Sequence, residues 1–173
     1  NGTKGNEVTV VGGKFGNALQ FSGSNTNSRV QFGSDSRKNF DGVFSVSLWM
    51  KRTSNSGTQY ILGNKSGSNN AGYYFRMSSN NNKRFTVKGT SNERNRDVTN
   101  AWNAQNWHHI VNVFNGNALS TSMRWRIYAD GVQKDQNDIA KIETASTDLR
   151  IGERSWGSGN RFIGLLDDLR YYD

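Results

Sequence analysis

Two adjacent carboxylates, Asp167 and Asp168, interrupt an otherwise apolar and aromatic stretch, residues 162–172, near the end of the chain. Carboxylates are depleted from β-strands, and one that turns toward a sheet interior must be paired, hydrogen-bonded or bound to a cation. Because side chains alternate along a strand, we expect these two to project to opposite faces. They then cannot act jointly on one bond, as the two carboxylates of a retaining glycosidase do.

Other catalytic candidates are few. His108 and His109 are the only histidines, and they follow Trp107. The hydrolase patterns Glu-x-Asp-x-x-Glu and Glu-x-Asp-x-Glu do not occur, and neither do the lyase patterns Arg-x-Glu-x-Arg and Gln-(Ile/Val)-His. No nucleophile and base pair is suggested, so we expect a protein that is not itself an enzyme.

Aromatic and basic side chains are the candidates for binding. Period-two alternation puts Tyr74 with Arg76, and Arg124 with Arg126, opposite the apolar residues of their strands. Aromatic rings present flat faces to pyranose C–H groups, and the Arg fork binds carboxylate or sulfate oxygens bidentately. All four are therefore candidates for one basic and aromatic concave binding face, although alternation does not identify the sheet that carries it. The alternative is that these residues merely solvate an exposed sheet.

The loops offer a second candidate surface. We interpret Lys88–Asn106 as a long loop that holds Trp102, and Glu153–Arg161 as a Gly/Ser-rich loop that holds Arg154 and Trp156. A Trp in such a loop has little core to fill, so Trp102, Arg154 and Trp156 join the predicted carbohydrate-binding residues. The alternative for Trp156 is that it caps the edge of a sandwich.

Five segments resemble, in the same order, the laminin-G-like domains among the concanavalin A-type jelly rolls. Their closing strand reads roughly Phe-x-Gly-x-(Ile/Leu)-Asp-(Asp/Glu)-(Val/Leu)-Arg-(Ile/Tyr)-Tyr, which residues 162–172 follow. The other matching segments are residues 13–23, 44–51, 107–116 and 126–132. The resemblance implies an all-β fold, a two-sheet antiparallel jelly-roll sandwich. Such jelly rolls bind glycans on a concave sheet or along its rim loops.

The resemblance also implies a structural calcium ion. Family members hold it with the Asp that stands three residues before the conserved Arg, here Asp167 before Arg170. Main-chain carbonyls near the opening strand, here around Gly16, are the other implied ligands. Calcium accepts carboxylate and carbonyl oxygens in loose geometry. The alternative is a salt bridge from Asp167, and Ser22 stands where the family often has an acidic residue.

Length and composition indicate a single domain spanning residues 1–173, excised from a larger multidomain protein. The chain has no Cys and no Pro, and 22 Lys and Arg against 14 Asp and Glu give a net charge of +8. This charge attracts anionic partners. No nucleic-acid-binding motif and no apolar run of membrane-spanning length accompanies it, so we expect neither nucleic-acid binding nor membrane insertion. Solubility or an acidic neighbouring domain is the alternative explanation of the charge.

These observations predict a non-catalytic carbohydrate-binding module that recognises a polysaccharide, in particular an acidic, sulfated or uronate-containing one. We expect a monomeric module in a secreted or cell-surface bacterial protein, such as a glycoside hydrolase or a polysaccharide lyase, which it targets to the glycan. The alternative is a protein-binding adhesion module of a surface protein.

Overall fold

A computed structural model describes residues 2–24, 27–33, 43–65, 72–78, 83–88, 93–98, 105–115, 124–137 and 148–172. Residues 83, 85–88, 93–98 and 137 are described by their backbone alone. Across these ranges the regular structure is entirely β-strand, and no helix long and apolar enough to cross a membrane is found in them. The strands are β1 (Thr3–Lys4), β2 (Val8–Gly12), β3 (Asn17–Phe21), β4 (Val30–Gln31), β5 (Val43–Arg52), β6 (Gln59–Gly63), β7 (Gly72–Met77), β8 (Lys83–Lys88), β9 (Glu93–Val98), β10 (His108–Asn115), β11 (Trp125–Ala129), β12 (Val132–Asn137), β13 (Arg150–Ile151) and β14 (Gly164–Tyr172).

The described strands form two seven-stranded sheets. The front sheet has the order β1-β4-β13-β6-β7-β8-β9, and the back sheet has the order β12-β11-β10-β5-β14-β3-β2. Neighbouring strands within both sheets pair antiparallel. The predicted all-β, two-sheet jelly-roll sandwich is confirmed.

The core lies between the sheets because alternate residues of the central strands, among them β5, β10 and β11, are apolar and buried. Phe44 of β5 packs its ring 5.7 Å from that of Tyr73 in β7, and 5.5 Å from that of Phe114 in β10. The Tyr73 hydroxyl donates to that of Tyr171 across the sheets at 3.2 Å, and burial raises the pKa of both phenols. Fully burying one large apolar side chain contributes about 1.5–3 kcal/mol. The polar faces of both sheets therefore point outward.

The predicted loop Lys88–Asn106 is wrong in part, because Glu93–Val98 forms the edge strand β9. It pairs antiparallel with β8, from Lys88↔Glu93 to Lys83↔Val98. The sequence Glu-Arg-Asn-Arg-Asp-Val gives no hydrophobic alternation. Edge strands commonly carry such charges, because charge discourages pairing with another chain. Trp102 lies outside the described residues.

The closing strand β14 contains a bulge that the simple alternation did not predict. Asp167 pairs with Trp49 and Arg170 pairs with Ser47, so three steps along β14 match two along β5. Asp168 takes up the extra residue with φ +47°, a left-handed conformation that Asp tolerates better than most residues. The two carboxylates thus occupy a local distortion, and each finds a hydrogen-bond partner there: Asp167 accepts a backbone N–H, and Asp168 Oδ1 accepts the Arg170 Nε–H at 2.7 Å.

Candidate functional site

The four residues predicted to share one concave face lie on opposite outer faces of the sandwich. Tyr74 and Arg76 alternate with the core residue Tyr73 in β7, so they belong to the outer face of the front sheet. Arg124 lies just before β11 and Arg126 lies within it, on either side of the buried core residue Trp125. Both therefore belong to the outer face of the back sheet. The single-face prediction is wrong because β7 and β11 belong to different sheets, and alternation within a strand does not reveal that.

Three aromatic rings form a cluster on the outer face of the front sheet. The Trp156 ring lies 5.3 Å from both the Tyr60 and the Tyr74 ring, and those two lie 5.2 Å apart. Tyr60 and Tyr74 are only 8% and 6% exposed, whereas Trp156 is partly exposed. Trp156 therefore covers the sheet and presents the ring that a ligand would meet. Tyr74 supports that ring from beneath.

Lys65 adds a cation to this cluster. Its Nζ lies 5.3 Å from the Tyr74 ring centroid and 5.2 Å from that of Trp156, although the residue is only 2% exposed. A desolvated ammonium over an aromatic face contributes up to about 2 kcal/mol. The Lys65 carbonyl also accepts the Ser155 hydroxyl at 2.5 Å, which fixes the neighbouring loop. Sequence reasoning missed Lys65, because it sits in an Asn/Ser-rich stretch with no periodic signal.

Glu153 holds the loop that carries Trp156, and sequence reasoning missed its role too. Its carboxylate is fully buried and lies 3.0 Å from both Arg29 Nη1 and Arg161 Nη2, and 3.7 Å from Arg150 Nη1. It also accepts the Gly159 N–H at 3.4 Å. One carboxylate thus joins the residue before β4, the strand β13 and both ends of residues 153–161. The sequence signal that could have revealed this role is one acidic residue, Glu153, among three arginines in residues 150–161.

The arginines near the cluster differ in how far their own contacts with the protein leave them available to a ligand. Arg154 donates to the Ser158 carbonyl of its own loop, so part of this predicted sugar contact is used for structure. Arg76 makes one long contact, from Nη1 to Thr58 Oγ1 at 3.4 Å, and pairs in register with Arg84 of β8. We call Trp156, Tyr60, Tyr74 and Lys65, with Arg76 and Arg154 beside them, the front platform.

The residues predicted for calcium, Asp167 and Gly16, meet at the turn between β2 and β3. Asp167 is 7% exposed, and its Oδ2 accepts the Phe15 N–H at 2.8 Å. The Gly16 carbonyl accepts the Gly13 N–H at 2.9 Å. Among the described residues no hydrogen bond reaches Asp167 Oδ1, and no group of three acidic, His or Cys side chains surrounds it. One carboxylate and turn carbonyls fit a weak calcium site whose remaining ligands are carbonyl or water oxygens.

His108 and Asp130 form a close pair that joins two parts of the back sheet. His108 Nδ1 lies 2.8 Å from Asp130 Oδ2, while Asp130 Oδ1 accepts the His109 N–H at 2.9 Å. Partial burial favours a higher pKa for Asp130, but the bonds from the His108 ring and the His109 amide outweigh it and hold the pKa below its usual value. Both carboxylate oxygens thus tie the β11–β12 turn to the start of β10.

Residues 22–173 match the sequence profile of the concanavalin A-like lectin/glucanases superfamily, and the chain belongs to this laminin-G-like family. The match confirms the predicted family and covers four of the five ordered segments, whereas most of residues 13–23 precedes it. No curated protein sequence matches the chain.

Solved structures with the same fold include domains of bacterial toxins and of carbohydrate-active enzymes. The binding domain of Paraclostridial Mosquitocidal Protein 1 superposes with a TM-score of 0.76 at 18% identity, over 99% of this chain and 44% of that one. Domain 4 of AbnA, an extracellular arabinanase from Geobacillus stearothermophilus in complex with arabinotriose, gives 0.70 at 21% identity, over 99% and 82%. The CBM40 of a Ruminococcus gnavus sialidase, bound to sialyllactose, gives 0.67 at 11% identity, over 99% and 90%. The chain spans less than half of the mosquitocidal-toxin domain, and at these identities the likeness shows the fold alone.

Proposed function

We propose that this domain is a non-catalytic module that binds carbohydrate through the front platform. The observation that carries the proposal is the partly exposed Trp156 ring, which is seated on Tyr60 and Tyr74 beside the Lys65 ammonium. An aromatic ring held from beneath is a preorganised stacking surface, and preorganisation lowers the entropic cost of binding. The arabinanase domain and the CBM40, whose structures contain bound sugars, support this reading.

We further infer that the ligand is an acidic polysaccharide. Arg76 pairs in register with Tyr60, Arg154 stands two residues before Trp156, and Arg29, Arg150 and Arg161 lie around Glu153 at the base of the loop. Among the side chains described there, two acids oppose these five arginines: the fully buried Glu153, and Asp148, which accepts a hydrogen bond from Gln31. The outer field is therefore positive, which favours carboxylate or sulfate groups.

The module's role would be targeting. Binding to an insoluble or gelled glycan raises the local concentration of an appended domain without any chemistry in the module. We infer a secreted or cell-surface bacterial parent, such as a glycoside hydrolase or a polysaccharide lyase, in which the module acts as a monomer.

Affinity electrophoresis tests the proposal. Gels containing a sulfated galactan, a uronate polymer or a neutral glucan are run at 0.1 M and 1 M salt. Retention by an acidic polymer should fall steeply, since the Debye length shrinks from ~10 Å to ~3 Å over that range. Trp156→Ala should weaken retention at least tenfold, about 1.4 kcal/mol, whereas Val132→Ala, an exposed residue of the back sheet (55%), should match the wild type.

Three results would contradict the proposal, and each leads to a different conclusion. Salt-independent retention by the neutral glucan would refute the acidic ligand and leave stacking. No retention by any glycan would refute carbohydrate binding and favour the protein-binding adhesion module, for which a pull-down is the follow-up. Release of sugar products during the run would refute a non-catalytic role.

We also propose that Asp167 and the Gly16 carbonyl bind a structural calcium ion. The support is their convergence on one turn and the carboxylate oxygen that makes no protein hydrogen bond among the described residues. Bound calcium would join the closing strand to the β2–β3 turn, and it would supply no chemistry to a reaction.

A further inference from the structure

A second aromatic cluster lies on the outer face of the back sheet. The Trp49 ring is stacked with the His109 ring at 5.1 Å and 26°, and the Phe15 ring meets Trp49 edge-on at 5.6 Å and 80°. The Lys14 Nζ lies 4.9 Å from the Trp49 ring centroid. We call Phe15, Trp49, His109 and Lys14 the hairpin platform, because two of them come from the β2–β3 turn. None of the four belongs to the front platform.

The exposed member, Phe15, is held rigidly. It is 58% exposed at the tip of the β2–β3 hairpin, yet its N–H donates to the buried Asp167 carboxylate at 2.8 Å. Gly13 approaches that carboxylate so closely that a Cβ on it would lie 2.5 Å from Asp167 Oδ2. One exposed apolar residue is ordinary. An exposed ring that packs edge-on against Trp49, on a backbone anchored to the opposite end of the chain, forms a preorganised surface.

A row of small residues continues from these rings along β5. Ser47 and Ser45 follow Trp49 on the same face, and in register they pair with Arg170 and Tyr172 of β14 on one side. On the other side they pair with two valines of β10, Val111 and Val113. The outer face of β5 beyond the rings therefore carries short hydroxyl side chains between longer ones, and Ser47 among them is only 9% exposed.

The charge of this face complements an anionic ligand. Lys51, Arg126 and Arg170 share the face with Lys14, and the Arg170 side chain is 57% exposed. The acidic residues described near them are already engaged, since Asp130 contacts His108 and Asp168 contacts Arg170. A carboxylated or sulfated sugar polymer therefore suits both the rings and the charge.

We propose that the hairpin platform is a second binding site for the same acidic polysaccharide, which makes the domain bivalent. This inference rests on the proposed function above. Because the core lies between the sheets, the two platforms face opposite directions and engage different chains or distant segments of one chain. A bivalent module cross-links a polysaccharide and binds the polymer more tightly than it binds a short fragment.

Isothermal titration with size-defined oligosaccharides of a sulfated galactan and of a polyuronate measures the number of sites. The wild type should bind about two oligosaccharides per protein, and Phe15→Ala and Trp156→Ala should each bind about one. The double variant should bind none. Val10→Ala is the matched control, because Val10 has the same 58% exposure as Phe15 but is not one of the platform residues. Melting temperatures establish that every variant is folded.

Light scattering with the intact polymers measures cross-linking. The wild type should raise the scattering to a maximum at an intermediate ratio of protein to glycan, and either single variant should abolish that maximum. Phe15→Ala leaves the net charge of +8 unchanged, so its effect cannot come from bulk attraction between a basic protein and a polyanion.

The outcomes separate this inference from the proposed function. If Phe15→Ala binds and cross-links like the wild type while Trp156→Ala loses all binding, the domain has one site and the inference is wrong. If the wild type binds no glycan, the proposed function fails and bivalency fails with it. A maximum that survives in both single variants would likewise overturn the inference.

Discussion

At the scale of single residues, three carboxylates of this chain act mainly by holding turns and loops in place. The aromatic rings of the two platforms depend on those turns and loops for their positions. Asp167, Glu153 and Asp130 each accept bonds that fix a turn or a loop. Each of these loops or turns carries, or adjoins, an aromatic ring of one of the two platforms. The sequence indicated the importance of Asp167 through its place in a strand, but Glu153 and Asp130 lie in loop and turn segments, where no period marks a partner.

Asp130 should make the stability of the domain depend on pH in the acidic range. Its pKa lies below the usual value, so the unfolded carboxyl binds a proton at a higher pH than the folded one. The stabilisation is complete above about pH 4, the ordinary pKa of Asp, and is lost as the pH falls through the lowered pKa. Asp130→Asn should lower the melting temperature by about 2 °C at neutral pH, because a partly exposed pair contributes little. The difference from the wild type should vanish in acid.

Thermal unfolding followed by circular dichroism from pH 7 to pH 2 checks this. Asp135→Asn, in the adjacent strand β12, is the control for loss of one negative charge. A difference between wild type and Asp130→Asn that stays constant down to pH 2 would contradict the assignment of the stabilising bonds to the carboxylate.

At the scale of elements, the strands with apolar alternation were predictable and the elements without it were not. β5, β10, β11 and β14 follow segments whose inward residues are apolar, since burial selects them. The strand β9 lacks that signal because it is a charged edge, and the β14 bulge depends on the register with β5. The loop that carries Trp156 was predictable as a loop, but its position over Tyr60 and Tyr74 was not.

Glu153→Gln should destabilise this loop and the domain. It removes the buried negative charge and leaves Arg29, Arg150 and Arg161 without their shared counter-charge, which costs about 3 kcal/mol when such a pair is broken. For a chain of this size the melting temperature should fall by about 6–12 °C. Glu7→Gln is the matched control, because among the described residues Glu7 accepts hydrogen bonds only from the exposed hydroxyls of Ser22 and Ser24.

Circular dichroism and glycan retention together separate displacement of the loop from unfolding of the whole domain. Below its melting temperature, the Glu153→Gln variant should keep its β-sheet circular dichroism while its glycan retention weakens, because the loop no longer holds Trp156 on its supporting rings. If stability and retention both equal those of the wild type, Glu153 does not organise the front platform.

At the scale of the whole molecule, the sequence predicted the sandwich but not which residues share a surface. Tyr74 and Arg126 both alternate with core residues, and only the strand order places them on opposite outer faces. Alternation fixes inside and outside within one strand, whereas the assignment of strands to sheets depends on long-range pairing that spacing does not encode. The predicted single face therefore becomes two platforms, which is the basis for bivalency.

The proposed calcium ion would act on the whole molecule, because Asp167 and the β2–β3 turn lie 152 positions apart along the chain. A ligand that binds only the folded state stabilises it by about 2.7 kcal/mol at a hundred times its Kd, so saturating calcium should raise the melting temperature by about 5–10 °C. Chelator should reverse the rise. Asp167→Asn should remove the response while the turn persists, because the amide oxygen can still accept the Phe15 N–H, and Asp168→Asn should keep the response. Equal melting temperatures with calcium and with chelator, together with no bound metal by elemental analysis, would show that the hydrogen bond from Phe15 alone accounts for the carboxylate at this position.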